Sequence, residues 1–199
     1  MTARIAIVDD DEPVRTSLIE VLNTYGYSGT PFPSGADFLD SPDCSAYQCI
    51  LLDLRMPGFD GLEVQRHLRE RNLRTPVIFI TGHGDIPLAV RAMRGGAFDF
   101  VEKPVHDDVL TASIQNAIAY STLEVSGGDG SQVFLKRLTR LTPREKEVMD
   151  LVVEGHSSGA IAVILGISSR TADHHRARVL EKMEATSIAN LIRAALRAS

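Results

Sequence analysis

The run Cys49-Ile50-Leu51-Leu52-Asp53 limits what this chain can fold into more than any other stretch. Branched apolar residues without polar alternation form a strand buried on both faces, as in the centre of a parallel sheet. The run ends on a carboxylate, Asp53, and the loop Arg55-Met56-Pro57-Gly58 takes over. Open α/β sheets place their working groups at the carboxyl ends of their strands. Asp53 is therefore the first candidate for the chemical centre.

A second such strand, Ile5-Ala6-Ile7-Val8, leads into Asp9-Asp10-Asp11-Glu12. Pro13 suits the first turn of a helix that carries Val14, Leu18, Val21 and Leu22 at helical spacing. Four adjacent acids also read as a solvated turn. Parallel neighbours, however, set them in one layer with Asp53, where clustered carboxylates repel unless a cation compensates. Hard oxygen ligands with water positions left over suit Mg²⁺, or Mn²⁺ in its place.

The alternation continues. Tyr27 to Phe32 is a weak strand, followed by a helix through Ala36, Phe38 and Leu39. After the Asp53 strand comes a helix over 62–73 with Leu62, Val64 and Leu68 facing inward. Val77-Ile78-Phe79-Ile80 is a doubly buried strand that delivers Thr81. A helix over 87–94 carries Ala89, Val90 and Met93. Phe98 to Val101 is a fifth strand closed by Lys103-Pro104, and a last helix runs from 107 to 120. Five β/α alternations predict an α/β fold with a doubly wound five-stranded parallel sheet.

The strand ends then bring Asp9, Asp10, Asp53, Thr81 and Lys103 to one rim. A carboxylate can attack phosphorus and form an acyl phosphate. A divalent cation, a hydroxyl and an ammonium would hold the phosphoryl oxygens. Singly, Thr81 is an ordinary strand-end hydroxyl and Lys103 an ordinary surface lysine. Their joint placement is what points to this chemistry.

Net charge hides an asymmetry. Residues 1–130 carry 10 Lys and Arg against 19 Asp and Glu, whereas residues 131–199 carry 11 against 7. An acidic first part and a basic second part imply two domains with different partners, the basic one suited to nucleic acid. Cys44 and Cys49 lack metal spacing and read as reduced thiols. There is no signal-peptide pattern, and no apolar run approaches the roughly 18 residues of a membrane span. A cytoplasmic protein without membrane contact is expected.

Val8-Asp9-Asp10-Asp11, Leu52-Asp53-Leu54-Arg55-Met56-Pro57-Gly58, Ile80-Thr81-Gly82 and Glu102-Lys103-Pro104 resemble the receiver domain of bacterial two-component response regulators. The string from Ile80 through His83-Gly84-Asp85 to Pro87 resembles the FixJ subgroup. The resemblance implies a CheY-like fold with Asp53 as phosphoacceptor. Asp10, Asp53 and the Arg55 carbonyl would be metal ligands, and Asp9 would act through water. Thr81 and Phe100 would be a switch pair, Lys103 would bind a phosphoryl oxygen, and the Lys103-Pro104 bond would be cis.

Ser126-Gly127-Gly128-Asp129-Gly130-Ser131 is the plainly flexible stretch. The expected division is a receiver over 1–121, a linker over 122–137 and a second domain over 138–199. Thr142, Pro143 and Glu145 form a capping box that opens a helix with Val148, Leu151 and Val152 on its apolar face. Ser158 to Leu165 is a second helix, Gly166-Ile167 a tight turn, and Ser168 caps a third helix that reaches Met183. Two short helices joined by a Gly turn read as a helix-turn-helix. A fourth helix, 187–196, carries Ile188, Leu191, Ile192, Ala195 and Leu196.

Outside its core face the third helix presents Arg170, Thr171, Asp173, His174, His175, Arg176, Arg178 and Lys182. Cations for phosphates and short polar side chains for base edges suit the major groove. An ordinary solvated face has the same composition. Leu141-Thr142-Pro143-Arg144-Glu145, Ile161-Ala162, Ile167-Ser168, Arg170-Thr171, His175-Arg176 and Lys182-Met183 resemble the LuxR/FixJ-type DNA-binding domain. That resemblance implies an all-α four-helix domain that reads double-stranded DNA with the third helix and forms dimer contacts with the fourth. Two departures stand out. Ser158-Gly159 replaces the usual Asn-Lys, and Thr171-Ala172-Asp173 replaces Thr-Val-Glu.

The leading expectation is a transcription regulator, not an enzyme. A histidine kinase would phosphorylate Asp53, and the phosphorylated protein would form a homodimer on DNA, with RNA polymerase as a further partner. Release of a masked DNA-binding helix is an alternative mode. A dehalogenase-type aspartyl-phosphate phosphatase would want a second carboxylate where Arg55 stands. A receiver acting only through protein contacts would find support in Ser158-Gly159 alone.

Overall fold

Five short strands, the three central ones apolar on both faces, pair side by side in parallel and leave helices to cover the sheet. In the computed structural model, which describes residues 2–82, 86–123 and 130–198, the strands are β1 (Arg4–Val8), β2 (Ser28–Phe32), β3 (Cys49–Asp53), β4 (Val77–Thr81) and β5 (Asp99–Glu102). Their order in the sheet is β2-β1-β3-β4-β5, parallel throughout. Every residue of β3 and β4 is buried, as their unbroken apolar runs demand. β2 contains Pro31, which cannot donate to a ladder, and accordingly lies at the edge.

The helices between the strands are α1 (Glu12–Thr24), α2 (Gly35–Asp40), α3 (Gly61–Glu70), α4 (Ile86–Arg94) and α5 (Asp107–Leu123). Ile5, Ile7, Cys49, Leu51, Ile78 and Ile80 project to one face, where they pack with Leu18 and Leu22 of α1 and Leu110, Ile114 and Ala117 of α5. Alternate strand residues project to the other face. There Gly61, the first residue of α3, lies against the Phe79 ring. The described residues form two compact units, one built on β1–β5 with α1–α3 and α5, the other on α4 and the C-terminal helices.

Those C-terminal helices are α6 (Gly130–Leu138), α7 (Pro143–Glu154), α8 (Ser158–Leu165), α9 (Ser169–Met183) and α10 (Ile188–Ala198). Thr142 and Glu145 form the expected capping box. Ser157 caps α8 and Ser168 caps α9. Between them Gly166 has φ +65°, a left-handed conformation that glycine adopts without a Cβ clash. Phe134, Val148, Val152, Ile161, Ala172, Val179, Met183 and Leu191 meet in one core.

The sequence predicts four helices in this domain, but five are present among the described residues. α6 occupies positions read as linker, and its Phe134 is buried in the core. Glycines at the start of this stretch argue against a helix locally, and burial of Phe134 outweighs them. Arg137 at the end of α6 donates to the Met183 carbonyl at 3.2 Å and to Glu184. Arg140 donates to Glu184 at 2.8 Å. His83-Gly84-Asp85 and Ser126 to Asp129 lie outside the described residues.

Candidate functional site

The rim of the sheet is acidic because three strands end on or beside carboxylates. Asp9 follows β1 and is almost fully buried, and Asp53 ends β3 at 6 % exposure. Lys103, just beyond β5, supplies the opposing charge. Its Nζ donates to Asp53 Oδ1 at 2.7 Å and to Asp9 Oδ2 at 3.0 Å. The Lys103-Pro104 peptide is cis, as the resemblance implies. The other Asp53 oxygen accepts from the Arg55 N–H at 2.7 Å.

Burial raises the Asp53 carboxyl above its ordinary range against the hydrogen bond and charge of Lys103, and the Asp9 carboxylate adds to the rise. For Lys103, burial acts downward. Its bonds to Asp53 and Asp9 outweigh that and lift the ammonium above its ordinary value. One ammonium thus bridges two acidic side chains that stand at the ends of different strands.

The other expected residues are placed as follows. Asp10 is exposed beside Asp9, and Arg55 is exposed in the loop after β3. Thr81 is buried at the end of β4, and Phe100 is partly exposed on β5. Phe79 pairs with Phe100 and Thr81 with Glu102, so Thr81 and Phe100 share one face of the sheet, two residues apart in register. Among the described residues, no group of three or more His, Cys, Asp or Glu side chains stands ready to hold a metal ion. A cation here needs main-chain and water oxygens besides the carboxylates.

Two further residues, Arg15 and Gly61, belong to this site. Arg15, one turn into α1, donates from Nη1 to the Asp9 carbonyl at 2.7 Å. A Cβ on Gly61 would lie 2.4 Å from the Asp53 carbonyl oxygen and 2.8 Å from the Phe79 ring. Glycine there lets α3 start directly against the end of β3. An arginine after an acidic run was a visible signal for the first, whereas the second depends on a contact between elements.

On α9, Arg170, Thr171, Asp173, His174 and Arg178 are exposed, while His175, Arg176 and Lys182 are partly buried. Thr171 shares a 2.7 Å hydrogen bond with the capping Ser168 hydroxyl. Arg178 pairs with Glu181 at 3.5 Å. Two further cations of the expected DNA-facing set are bonded to other helices of the domain. Lys182 Nζ donates to Glu145 Oε2 at 2.6 Å, and Arg176 Nη1 donates to Ser158 Oγ. The reason is register, since both lie at or beside the stripe that buries Ala172, Val179 and Met183. Burial would raise the Glu145 carboxyl, but hydrogen bonds from Lys182 and Thr142 hold it down at about 2.

No helix among the described residues is long and apolar enough to cross a membrane. Residues 5–115 match the response regulator receiver domain, and residues 139–195 match the bacterial regulatory proteins of the luxR family. The chain is 40 % identical to the transcriptional regulatory protein FixJ of Bradyrhizobium diazoefficiens over 194 residues, which cover 98 % of this chain and 95 % of that one. It is also 40 % identical to the tetrathionate response regulatory protein TtrR of Salmonella typhimurium, over 96 % of this chain and 91 % of that one. Full-length FixJ from B. japonicum resembles it in structure with a TM-score of 0.60 at 39 % identity, covering 100 % of this chain and 98 % of the other. The chain belongs to the two-component response regulators that join a receiver to a LuxR-type DNA-binding domain, and it is a transcription regulator rather than a metabolic enzyme.

Proposed function

We propose that Asp53 accepts the phosphoryl group. The observation that carries this reading is the Lys103 ammonium held between Asp53 and Asp9 at 2.7 and 3.0 Å on the carboxyl rim of the sheet. A carboxylate oxygen of Asp53 forms the new O–P bond as the P–N bond of the kinase phosphohistidine breaks, and the electron pair leaves with the imidazole. Lys103 then binds a phosphoryl oxygen, exchanging one anionic partner for another.

The donor set suits Mg²⁺. It consists of hard oxygens, and the Asp53 carboxyl is raised by burial and by its acidic neighbour. Asp10, Asp53 and the Arg55 carbonyl would hold the ion, with Asp9 acting through water. When bound, it neutralises charge on the phosphoryl oxygens. Thr81 reports the new group by turning its hydroxyl toward it, and Phe100, on the same face, turns inward. Two receivers then pair through α4 and β5 in the cytoplasm. DNA-reading helices arrive in twos, and their affinities combine through effective concentration. On DNA, Arg170, Thr171, His174 and Arg178 form the outward surface of α9. Contact with RNA polymerase completes the output.

A small-molecule phosphodonor with Mg²⁺ should give the wild-type protein an acid-stable, base-labile adduct. Asp53→Asn should abolish it while the fold, read by circular dichroism, persists. An adduct that survives in this variant would sink the assignment.

A further inference from the structure

The hydrogen bond between Arg176 and Ser158 joins the two helices of the helix-turn-helix far from the turn that links them. Ser158 is the first residue of α8, and Arg176 lies in the middle of α9. Counting from the turn at Gly166 to Ser168, each lies about 12 Å along its own helix axis at 1.5 Å per residue. Turn and bond together close a triangle, so the angle between α8 and α9 is set at both ends.

Arg176 stands on the inner face of α9. Ala172, Arg176, Val179 and Met183 follow one another at intervals of four, three and four, and the other three are buried. The Arg176 side chain is 17 % exposed, against 53 % for Arg178. Asp173 Oδ1, one turn earlier, lies 4.0 Å from the same Arg176 nitrogen and steadies the guanidinium. The partner, Ser158, is one of the two positions where this chain departs from the usual Asn-Lys. A Cβ on the other, Gly159, would meet only Ser157 Oγ, at 3.9 Å.

We infer that Arg176 and Ser158 form a brace that fixes how α9 is presented, so that Arg176 sets DNA specificity as a positioning residue rather than as a DNA contact. The inference rests on the reading that α9 enters the major groove. A change of about 5° at the open end of a 12 Å arm moves the outward side chains by roughly 1 Å, enough to misalign base-edge hydrogen bonds. The phosphate contacts of the domain tolerate such a shift, because they depend on charge more than on alignment.

The test uses the full-length protein. Binding sites are first selected by the wild type from a random duplex pool. Fluorescence anisotropy then gives affinities for a selected duplex and for a random-sequence duplex over a range of KCl. Ser158→Ala and Arg176→Gln are each expected to weaken the selected duplex about tenfold. Random-duplex affinity and the salt slope should stay at wild-type values. The double variant should be no weaker than either single one, and Ser158→Thr should restore the selected affinity. If Arg176→Gln instead lowers the salt slope by about one unit on both duplexes while Ser158→Ala does nothing, Arg176 is a phosphate contact and the brace is overturned. Equal losses on both duplexes show a merely structural role and also overturn it. A wild-type selection that enriches nothing overturns the DNA reading itself, and the inference with it.

Discussion

Asp53 and Glu145 show how environment sets the work of a carboxylate. Asp53 is buried beside a second acid, so its ionised form is disfavoured and responsive to an added cation or phosphoryl group. Glu145 is equally buried but accepts from the Lys182 ammonium and from the backbone N–H of Thr142, the N-cap of α7, and its ionised form is favoured. Its folded value of about 2 lies below the ordinary 4.5, so the stability it contributes is present above 4.5 and is lost as pH falls through about 2. Glu145→Gln should therefore cost roughly 2 kcal/mol at neutral pH, and urea unfolding should show that difference shrinking toward pH 3. At Gly61 the constraint is steric. A methyl group there meets the Asp53 backbone at 2.4 Å, which neither element can relieve alone. Gly61→Ala should cost about 2 kcal/mol in urea unfolding and slow adduct formation at Asp53, because the strand end that aims the carboxylate must move.

Elements show where local sequence and packing disagree. α7, α8 and α9 start on Thr142, Ser157 and Ser168, each of which accepts a backbone N–H of its own first turn. These signals are local, which is why the three helices are legible from the sequence. α6 begins in a glycine-rich run, and its Val133 and Leu135 are exposed on either side of buried Phe134. A single inward aromatic makes too weak a periodicity to identify a nine-residue helix. Packing against the C-terminal core holds it in place. Phe134→Ala should cost about 3 kcal/mol in thermal or urea unfolding, with loss of helical signal confined to the C-terminal domain. The same change on a helix that only linked two domains would be nearly silent.

At the scale of the whole molecule, chemistry and charge are divided between a sheet rim and a helical domain. Residues 1–130 are acidic and residues 131–199 are basic. A fragment of residues 130–199 should bind random-sequence duplex with affinity that falls steeply with salt, whereas residues 1–123 should not bind it at all. Electrophoretic mobility shifts at two KCl concentrations would check this. The sequence by itself determined the α/β order, the acids and the lysine at the rim, and the capped helices that follow. Each of these is written in short-range signals: apolar runs, strand ends, Ser, Thr and Gly at helix boundaries. Tertiary structure alone decided that α6 is part of the C-terminal core, that Gly61 must lack a side chain, and that Arg176 and Lys182 turn inward. Those outcomes depend on which surfaces meet, and residues far apart in the chain meet only when the whole domain is folded. At Asp53 the sequence placed a carboxylate at a strand end, and only the fold brought Asp9 and Lys103 within hydrogen-bonding reach of one another.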